Sequence, residues 1–542
     1  MNTQYKIANQ PTDPFIPENQ RLAKIGQRKS LLGKFGPSLL VVLVAGCAVT
    51  PQPLTTSALE AERTKRLNGF LSDQDEVTSP IGIYEAMARA IKYNLDEEVE
   101  RMEQALRVRE LKLARHDLLP KLVAGTGYNG RNNFSGASSS RLLGPRSVGD
   151  QSLVASTSSQ RDTYGADLLL SWDILDFGLS YVRAKQKADE VLIAAERRRK
   201  VVGRIAEDVR TAYWRAVSAE RLLAQLQGLE GDIEDALQKS QAVFDRKKAA
   251  PLSALTYQRE LLSTKEDIQN LQREMSVAKQ QLAALMNLDP GKPYTLAMPE
   301  RSSAVLDFSM PADEMVSLAL MNRPEVRENL YQQRITQKSA TTALLELLPS
   351  LRLFGGFNYD SNEFLFNDQW TGWGARASWN LVQAFKYPAK RRSIRAQQEL
   401  LDAKANALTM AVITQVHVSR TRFELARRQL NTTKNSYLVQ DRILDQVGAG
   451  YKTNRVSKQT MIRERMNQIL AEARYDLAVA DMQNAFANIH SSMGYDPYGD
   501  DVSGYETVTD LARKLEQHWE NRGDEIAFVP VQEHIDYIET SE

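Results

Sequence analysis

This chain is written twice, and that duplication constrains its fold more than any other feature. "ELKLARHDLLPKLVAGTGYNG" in the first half has a partner, "SATTALLELLPSLRLFGGFNYD", in the second. The Leu-Leu-Pro of residues 118–120 matches that of residues 347–349. "GADLLLSWDILDFG" is matched by "GARASWNLVQAFK", with Trp172 opposite Trp379. Each copy then enters a long helical stretch and closes on "LMNLDP" or "SMGYDP". A repeat of this size has to be recognised before any local motif is trusted.

One motif fails that test. Gly125, Gly127 and Gly130 form a G-x-G-x-x-G after a strand-like run. A dinucleotide site needs a helix to begin at the last glycine, so that its N-terminus meets the pyrophosphate. The residues that follow, "RNNFSGASSSRLLGPRSVGD", carry no apolar stripe, and the second copy keeps only Gly355 and Gly356. The glycines read instead as strand positions where a neighbouring backbone or a bulge comes close.

The pattern around them has a period of two. Tyr164, Ala166, Leu168, Leu170, Trp172 and Ile174 alternate with Gly165, Asp167, Leu169, Ser171 and Asp173. The second copy sets Trp373, Ala375, Ala377, Trp379 and Leu381 against Gly372, Gly374, Arg376, Ser378 and Asn380. One face is apolar, with aromatics Tyr164, Trp172, Trp373 and Trp379 near its ends. Trp373 and Trp379 fall about 20 Å apart at the usual strand rise. That suits the outward band and aromatic girdles of an outer-membrane barrel, although a soluble sandwich shows the same alternation. Strands are expected near 119–130, 163–175, 349–360 and 370–382, with a long polar connection near 131–163. Four strands cannot close a barrel, and open edges are not tolerated in hydrocarbon, so several chains must share one.

The helical stretches are too long for a globule. No proline occurs between 181 and 250, and a helix over 181–244 spans on the order of 95 Å. Its seam runs Ile205, Val209, Ala212, Ala216, Ala219, Leu223, Leu226 and, after one break, Ile233 and Leu237, a 4,3 spacing that marks coiled-coil packing. Pro251 suits the first turn of a return helix to about 286. No proline separates 389 from 496, and Gly448, Gly450, Tyr451 and Asn454 mark the second turn. Pro388 is placed at the strand-to-helix turn.

Composition excludes other classes. Lys plus Arg number 69 and Asp plus Glu 68 in 542 residues, so no net basic field attracts nucleic acid. The five histidines are far apart and none pairs at metal-ligand spacing. No apolar run reaches the roughly 18 residues of a spanning helix. The single cysteine, Cys47, follows Lys24, Arg28, Lys29, Lys34 and a short apolar run at 39–44, the layout of a secretory signal. Val44-Ala45-Gly46-Cys47 resembles a bacterial lipobox, which implies a lipidated Cys47. Ala48 stands where an inner-membrane retention Asp commonly does, which implies the outer membrane.

Duplicated helix–strand–strand–long-helix-pair units, Leu-Leu-Pro before the first strand and "WDILDFG" after the second are together similar to the outer membrane efflux protein (TolC-like) family, over roughly 81–496. The resemblance implies a mainly α fold with a transmembrane β-barrel portion: a homotrimer whose twelve-stranded barrel joins a periplasmic α-helical tunnel. The expected domains are a signal peptide at 1–46, a lipidated linker at 47–80, repeat 1 at 81–300, repeat 2 at 301–497 and a C-terminal tail at 498–542. The implied function is the outer-membrane channel of a tripartite efflux system, exporting small molecules or ions. Its partners would be a periplasmic adaptor, through it an inner-membrane transporter, and outer-membrane lipid. No cofactor, metal or catalytic residue is implied. Type I protein secretion and a non-pore periplasmic coiled-coil lipoprotein are the alternatives.

In the family the helix-turn-helix tips meet the adaptor, which points here to Arg246, Lys247, Lys248, Leu252 and Ser253 with Gly450, Tyr451, Asn454 and Arg455. Lys247 falls where the family's tip often has glycine. The family often narrows the entrance with acidic residues after the second tip; this chain has Val456, Lys458 and Gln459 there, and Asp441 and Asp445 stand one to two turns before it as a candidate ring. In the tail, Val508, Leu511, Leu515 and Trp519 have the spacing of a short amphipathic helix.

Overall fold

The computed structural model describes residues 53–69, 74–138, 140–145, 147–152, 155–245, 251–289, 291–299, 308, 310–497 and 506–520. The signal segment 1–46, Cys47, and the tip residues Arg246, Lys247 and Lys248 lie outside the described residues. The chain divides into two compact units, 1–70 and 71–542. The first holds helix α1, Thr56–Gly69.

The second unit opens with α2, Ile83–Tyr93, and α3, Leu95–His116. Asn94 joins them: its N–H donates to Ala90 O, and its side chain accepts from Asp96 N–H at 3.0 Å. Asp96, Glu97 and Glu98 fill the first turn of α3, where carboxylates meet the positive end of the helix dipole. The second repeat makes the same joint at Arg323, between α6, Ala312–Asn322, and α7, Pro324–Leu345, with Pro324 at the first helical position. After α3 and α7, Leu-Leu-Pro leads into a strand in each copy, because the residue before proline is pushed out of the helical region.

The strands that follow are β1, Lys121–Gly130, β6, Asp162–Asp173, β7, Ser350–Asp360, and β8, Gln369–Ser378. They form one antiparallel sheet in the order β1-β6-β7-β8. The expected long connection in repeat 1 contains two short ribbons. β2, Gly136–Ala137, pairs with β5, Ser156–Thr157, and β3, Ser140–Gly144, pairs with β4, Ser147–Ser152. Buried Asn362, in the β7–β8 loop, ties the two connections together: its Nδ2 donates to Ser158 O, and its Oδ1 accepts from Gln160 N–H.

Helix α4, Ile174–Asp245, starts immediately after β6. Asp173 Oδ1 accepts from Leu175 and Asp176 N–H groups, an N-terminal cap that turns strand into helix. Asn380 does the same in repeat 2, accepting from Val382 N–H at 3.2 Å ahead of α8, Val382–Lys452. The turn therefore lies at Asn380, and Pro388 sits inside α8. No residue of α8 is buried before Ile394, so little packing depends on the hydrogen bond that Pro388 cannot donate. Trp379 and Leu381 also lie beyond the end of β8, and Trp379 Nε1 donates to Leu347 O.

Helix α5, Pro251–Leu285, returns along α4, and α9, Lys458–Ser492, returns along α8. Since α9 also packs on α4, the four long helices form a layer in the order α5, α4, α9, α8. The buried seam of α4 continues through Leu222, Leu226, Leu229, Ile233 and Ala236 against Leu261, Ile268, Ile462, Met466 and Ile469. It has no break: Leu222 is buried where Leu223 was expected, because α4 presents neighbouring stripes to two helices at once. The tail contributes α10, Val508–Glu520, whose Val508, Leu511 and Leu515 pack with Ile81, Met87 and Ile91 against α4.

Candidate functional site

The register of the sheet sorts its side chains into two faces. Leu122, Ala124, Thr126 and Tyr128 lie opposite Leu170, Leu168, Ala166 and Tyr164. Leu353, Gly355, Phe357 and Tyr359 continue that face on β7, then Ala375 and Trp373 on β8. Tyr128, Tyr164 and Tyr359 cluster at the loop end, Trp172 lies toward the helices and Trp373 stands at mid-strand. Tyr164 and Trp172 are eight residues apart, about 27 Å along the strand. The other face is polar at Asp167, Asn358, Asp173, Arg352 and Arg376, with Ser350 Oγ donating to Asp173. Among the described residues no helix is long and apolar enough to cross a membrane.

Among the described residues, both edges of this sheet, β1 and β8, lack a further strand. The helices repeat that asymmetry. Helix α9 is buried along most of its length, whereas α8 buries only Ile394, Leu401, Val412, Val416, Ser419 and Phe423. At the opposite edge α3 exposes Leu95, Val99, Met102, Leu106 and Leu113, a stripe at helical spacing with nothing over it. An exposed apolar stripe of this kind marks an interaction surface.

Where the repeats join, an ionic knot closes the upper end of the layer. Glu196 of α4 is fully buried and bonds Arg199 at 2.6 Å; Arg199 Nε bonds Asp496 at 2.9 Å. Burial pushes the Glu196 carboxyl up, against the pull of Arg199 and Arg327, while Asp496 and Glu196 raise Arg199 further despite its burial. Gly494 makes the approach possible: its φ is +85°, and a Cβ there would stand 2.6 Å from the carbonyl carbon of Asn322. Beside the knot, Arg210 is buried against the Trp519 ring, 4.9 Å from its centroid, and burial lowers its pKa to about 10. Asp496 is the fifth residue of "SMGYDP", but its partner lies 297 residues away and no local pattern announces it.

The second hairpin tip is a built turn. Arg455 and Val456 N–H groups donate to Gly450 O, Asn454 takes the left-handed region at φ 56°, and Ser457 caps α9 by accepting from Thr460 N–H. Tyr451, Asn454 and Arg455 are exposed and Gly450 is half-buried. At the first tip Leu252 and Ser253 are exposed on α5. Side chains tie the hairpins near these tips: Lys458 pairs with Asp235, and Arg465 with Asp232 at 3.0 Å. Asp441 is half-buried and Asp445 exposed, and neither forms an ion pair among the described residues.

No group of three or more His, Cys, Asp or Glu residues is placed to hold a metal among the described residues. Residues 90–288 match the outer membrane efflux protein family. No curated protein sequence matches the chain. Solved structures do resemble it. The CmeC outer membrane channel of Campylobacter jejuni superposes with a TM-score of 0.59 at 13% identity, over 83% of this chain and 95% of that one. The open state of the Neisseria gonorrhoeae MtrE outer membrane channel gives 0.57 at 15% identity, over 78% and 94%. The outer-membrane channel OprN gives 0.58 at 14%, over 76% and 89%.

Proposed function

We propose that this chain, whose residues 90–288 match the outer membrane efflux protein family, assembles as three copies into the exit duct of a tripartite efflux system. The observation that carries this reading is the coincidence of open edges. Strand edges β1 and β8 and helix edges α3 and α8 fall on the same two flanks of the molecule. Joining β8 of one copy to β1 of the next satisfies the backbone groups that hydrocarbon cannot. Three copies give twelve strands, with the apolar register face toward lipid, its tyrosines at one interface and Trp172 at the other. The polar face, carrying Asp167, Asn358, Arg352 and Arg376, then lines the lumen.

Below the sheet the layer of four helices is repeated three times around the same axis, so the barrel continues as a tunnel. The far hairpin tips are the surface offered to a periplasmic adaptor: Gly450, Tyr451, Asn454 and Arg455 on one, and Arg246, Lys247, Lys248, Leu252 and Ser253 on the other. Asp441 and Asp445 stand just inside as a threefold acidic entrance. Cys47 carries the lipid anchor in the outer membrane. The cargo is small molecules or ions, and the chain itself performs no chemistry on it. A rod-like lipoprotein without a pore gives no role to an amphipathic sheet with an aromatic cluster at its loop end.

The test is intracellular accumulation of a fluorescent efflux substrate in cells lacking the chain, with and without its restoration. Dye should accumulate without the chain and clear on restoration. Unchanged accumulation, with the restored protein present in the outer membrane, would overturn the small-molecule reading.

A further inference from the structure

A groove of about 940 Å³ runs along α9, walled by α4 on one side and α8 on the other. That is the size range of pockets that take drug-sized molecules. Its α4 wall is the face of Lys200, Gly203, Glu207 and Thr211. At 100° per residue this face lies opposite Val202, Ile205, Val209 and Tyr213, which are buried in the cluster that includes α2 and α10. The groove therefore opens on the side of the helical layer away from that cover. In the duct proposed above, on which this inference rests, that side is the tunnel interior.

Three features distinguish the groove from an incidental gap. First, Gly203 stands in the middle of a 72-residue helix, where glycine costs about 1 kcal/mol relative to alanine. A Cβ at Gly203 would meet nothing within 4 Å, so no close backbone contact demands glycine, and its effect is to keep the groove wide. Second, the other cations are matched: Arg199 by Glu196 and Asp496, Arg204 by Asp96, Arg323 by Glu325. Lys200 and Arg422, on facing walls, form no ion pair among the described residues. Third, Met410, Val418 and Leu425 present exposed apolar surface along the α8 wall. The acidic lining is engaged or set apart. Glu207 accepts from Asn488 Nδ2 at 3.0 Å, Glu325 is held by Arg323 with the charge of Lys200 also acting on it, and Asp481 lies about one turn of α9 beyond Asn484, which bonds Thr211.

We propose that this groove binds an amphiphilic organic anion, its acidic group drawn to Lys200 and Arg422 and its apolar body laid along Met410, Val418 and Leu425. Each protomer would then hold one molecule midway along the tunnel, a resting place for cargo of that class.

The experiment is calorimetric titration of the full-length oligomer, held in nanodiscs, with anilinonaphthalene sulfonate, an anion with an apolar ring body. Saturable binding at one site per protomer is expected. Lys200→Glu combined with Arg422→Glu should weaken it at least tenfold, whereas Lys404→Glu, an exposed lysine outside the groove, should leave it unchanged. Gly203→Trp should abolish it by filling the open space, with the oligomer's mass and helical content retained. Non-saturable binding, or Gly203→Trp and the double variant titrating like the parent protein, would overturn the proposal. Because the titration needs no transport, it separates from the dye experiment: clearance without a saturable site sinks the groove alone, and a saturable site without clearance sinks the small-molecule duct alone.

Discussion

Helices α4 and α8 occupy the same place in the two repeats and are nearly equal, 72 and 71 residues, yet their surroundings are opposite. Helix α4 buries side chains from Leu179 to Ser240, whereas α8 buries six. The difference does not come from amphipathic strength, since both helices carry apolar residues along their length. It comes from position: α4 has α3 and α5 on one flank and α7 and α9 on the other, whereas α8 packs on α6, α7 and α9 and has no helix on its other flank among the described residues. A duplicated sequence laid side by side must place one copy inside and leave the other with a free flank. Here the free flanks are α8 with β8 at one end and α3 with β1 at the other. The inside helix stabilises the chain, and in the proposed trimer the outside flanks hold the assembly.

The largest effect should come from breaking an outside flank. Met102→Glu with Leu106→Glu places two charges in the exposed stripe of α3, where the single chain loses little packing. Burying those charges against a neighbour costs several kcal/mol each, so the trimer should be lost while the helical content of the chain stays. Light scattering of the solubilised protein reads this directly, and an intact trimer would show that α3 is not an assembly surface.

An inside substitution should do the reverse. Leu229 is fully buried in the seam among α4, α5 and α9, and Leu229→Ala should cost about 2–5 kcal/mol in the unfolding of each chain. Val439, exposed on α8, is its control: Val439→Ala should stay within about 0.5 kcal/mol in the unassembled chain. Urea unfolding of both variants in a monomeric background would decide, and equal losses would erase the distinction between the helices.

The distinction itself was not legible in the sequence, and the reason is physical. Exposed Leu106 and buried Leu111 lie on one helix, and no periodicity says which stripe belongs to the chain and which to its neighbour. The alternation of Leu168, Leu170 and Trp172 was legible, because the pleat forces it and one face must be apolar. The duplication was legible too, but the equivalent capping by Asp173 and Asn380 was not: Pro388 drew the expected turn to itself, and a lone Asn is a weaker signal than a proline. The coiled-coil seam was half legible: Val209, Ala216 and Leu226 were read correctly, but Leu222 was hidden behind Leu223 because α4 shows two adjacent stripes to two partners. The knot of Glu196, Arg199 and Asp496 was not legible at all, since charges 297 residues apart leave no local trace. The same holds for the groove, whose walls come from three helices.

Helix α4 differs from α8 in one further respect, an added cover. Helix α10 lies over it and has no counterpart in repeat 2. Asp75 pins that cover, accepting from Val508 N–H at 3.0 Å and pairing with Lys92 at 3.3 Å. The Val508 N–H bond holds its carboxyl below the ordinary carboxylate value, against a small opposing effect of burial, with Lys92 adding to the lowering. A depressed carboxylate pKa stabilises above the unfolded value and is lost as pH falls through the folded one. Protection of α10 backbone amides from hydrogen exchange should therefore hold at neutral pH and decline below about pH 4. Asp75→Asn should remove that pH step. An unchanged profile in the variant would mean that another carboxylate controls the cover.

The smallest effect sharpens the comparison at its far end, where α8 reaches the tip with two glycines two residues apart. Gly448 has nothing within 4 Å of where a Cβ would stand, while at Gly450 that atom would lie 2.6 Å from Val456 Cγ2. Both are inside the helix, so alanine should gain about 0.5–1 kcal/mol of helix propensity at either. At Gly448 nothing opposes the gain, and Gly448→Ala should slow hydrogen exchange over the last turns of α8. At Gly450 the β-branched Val456 has to yield inside a turn already fixed by two hydrogen bonds to Gly450 O. The strain exceeds the propensity there, and Gly450→Ala should speed exchange over the same turns. If both variants moved exchange in the same direction, the tip would be a flexible end of an edge helix. Opposite signs would make it a rigid turn held in shape for a partner, as the docking proposal requires.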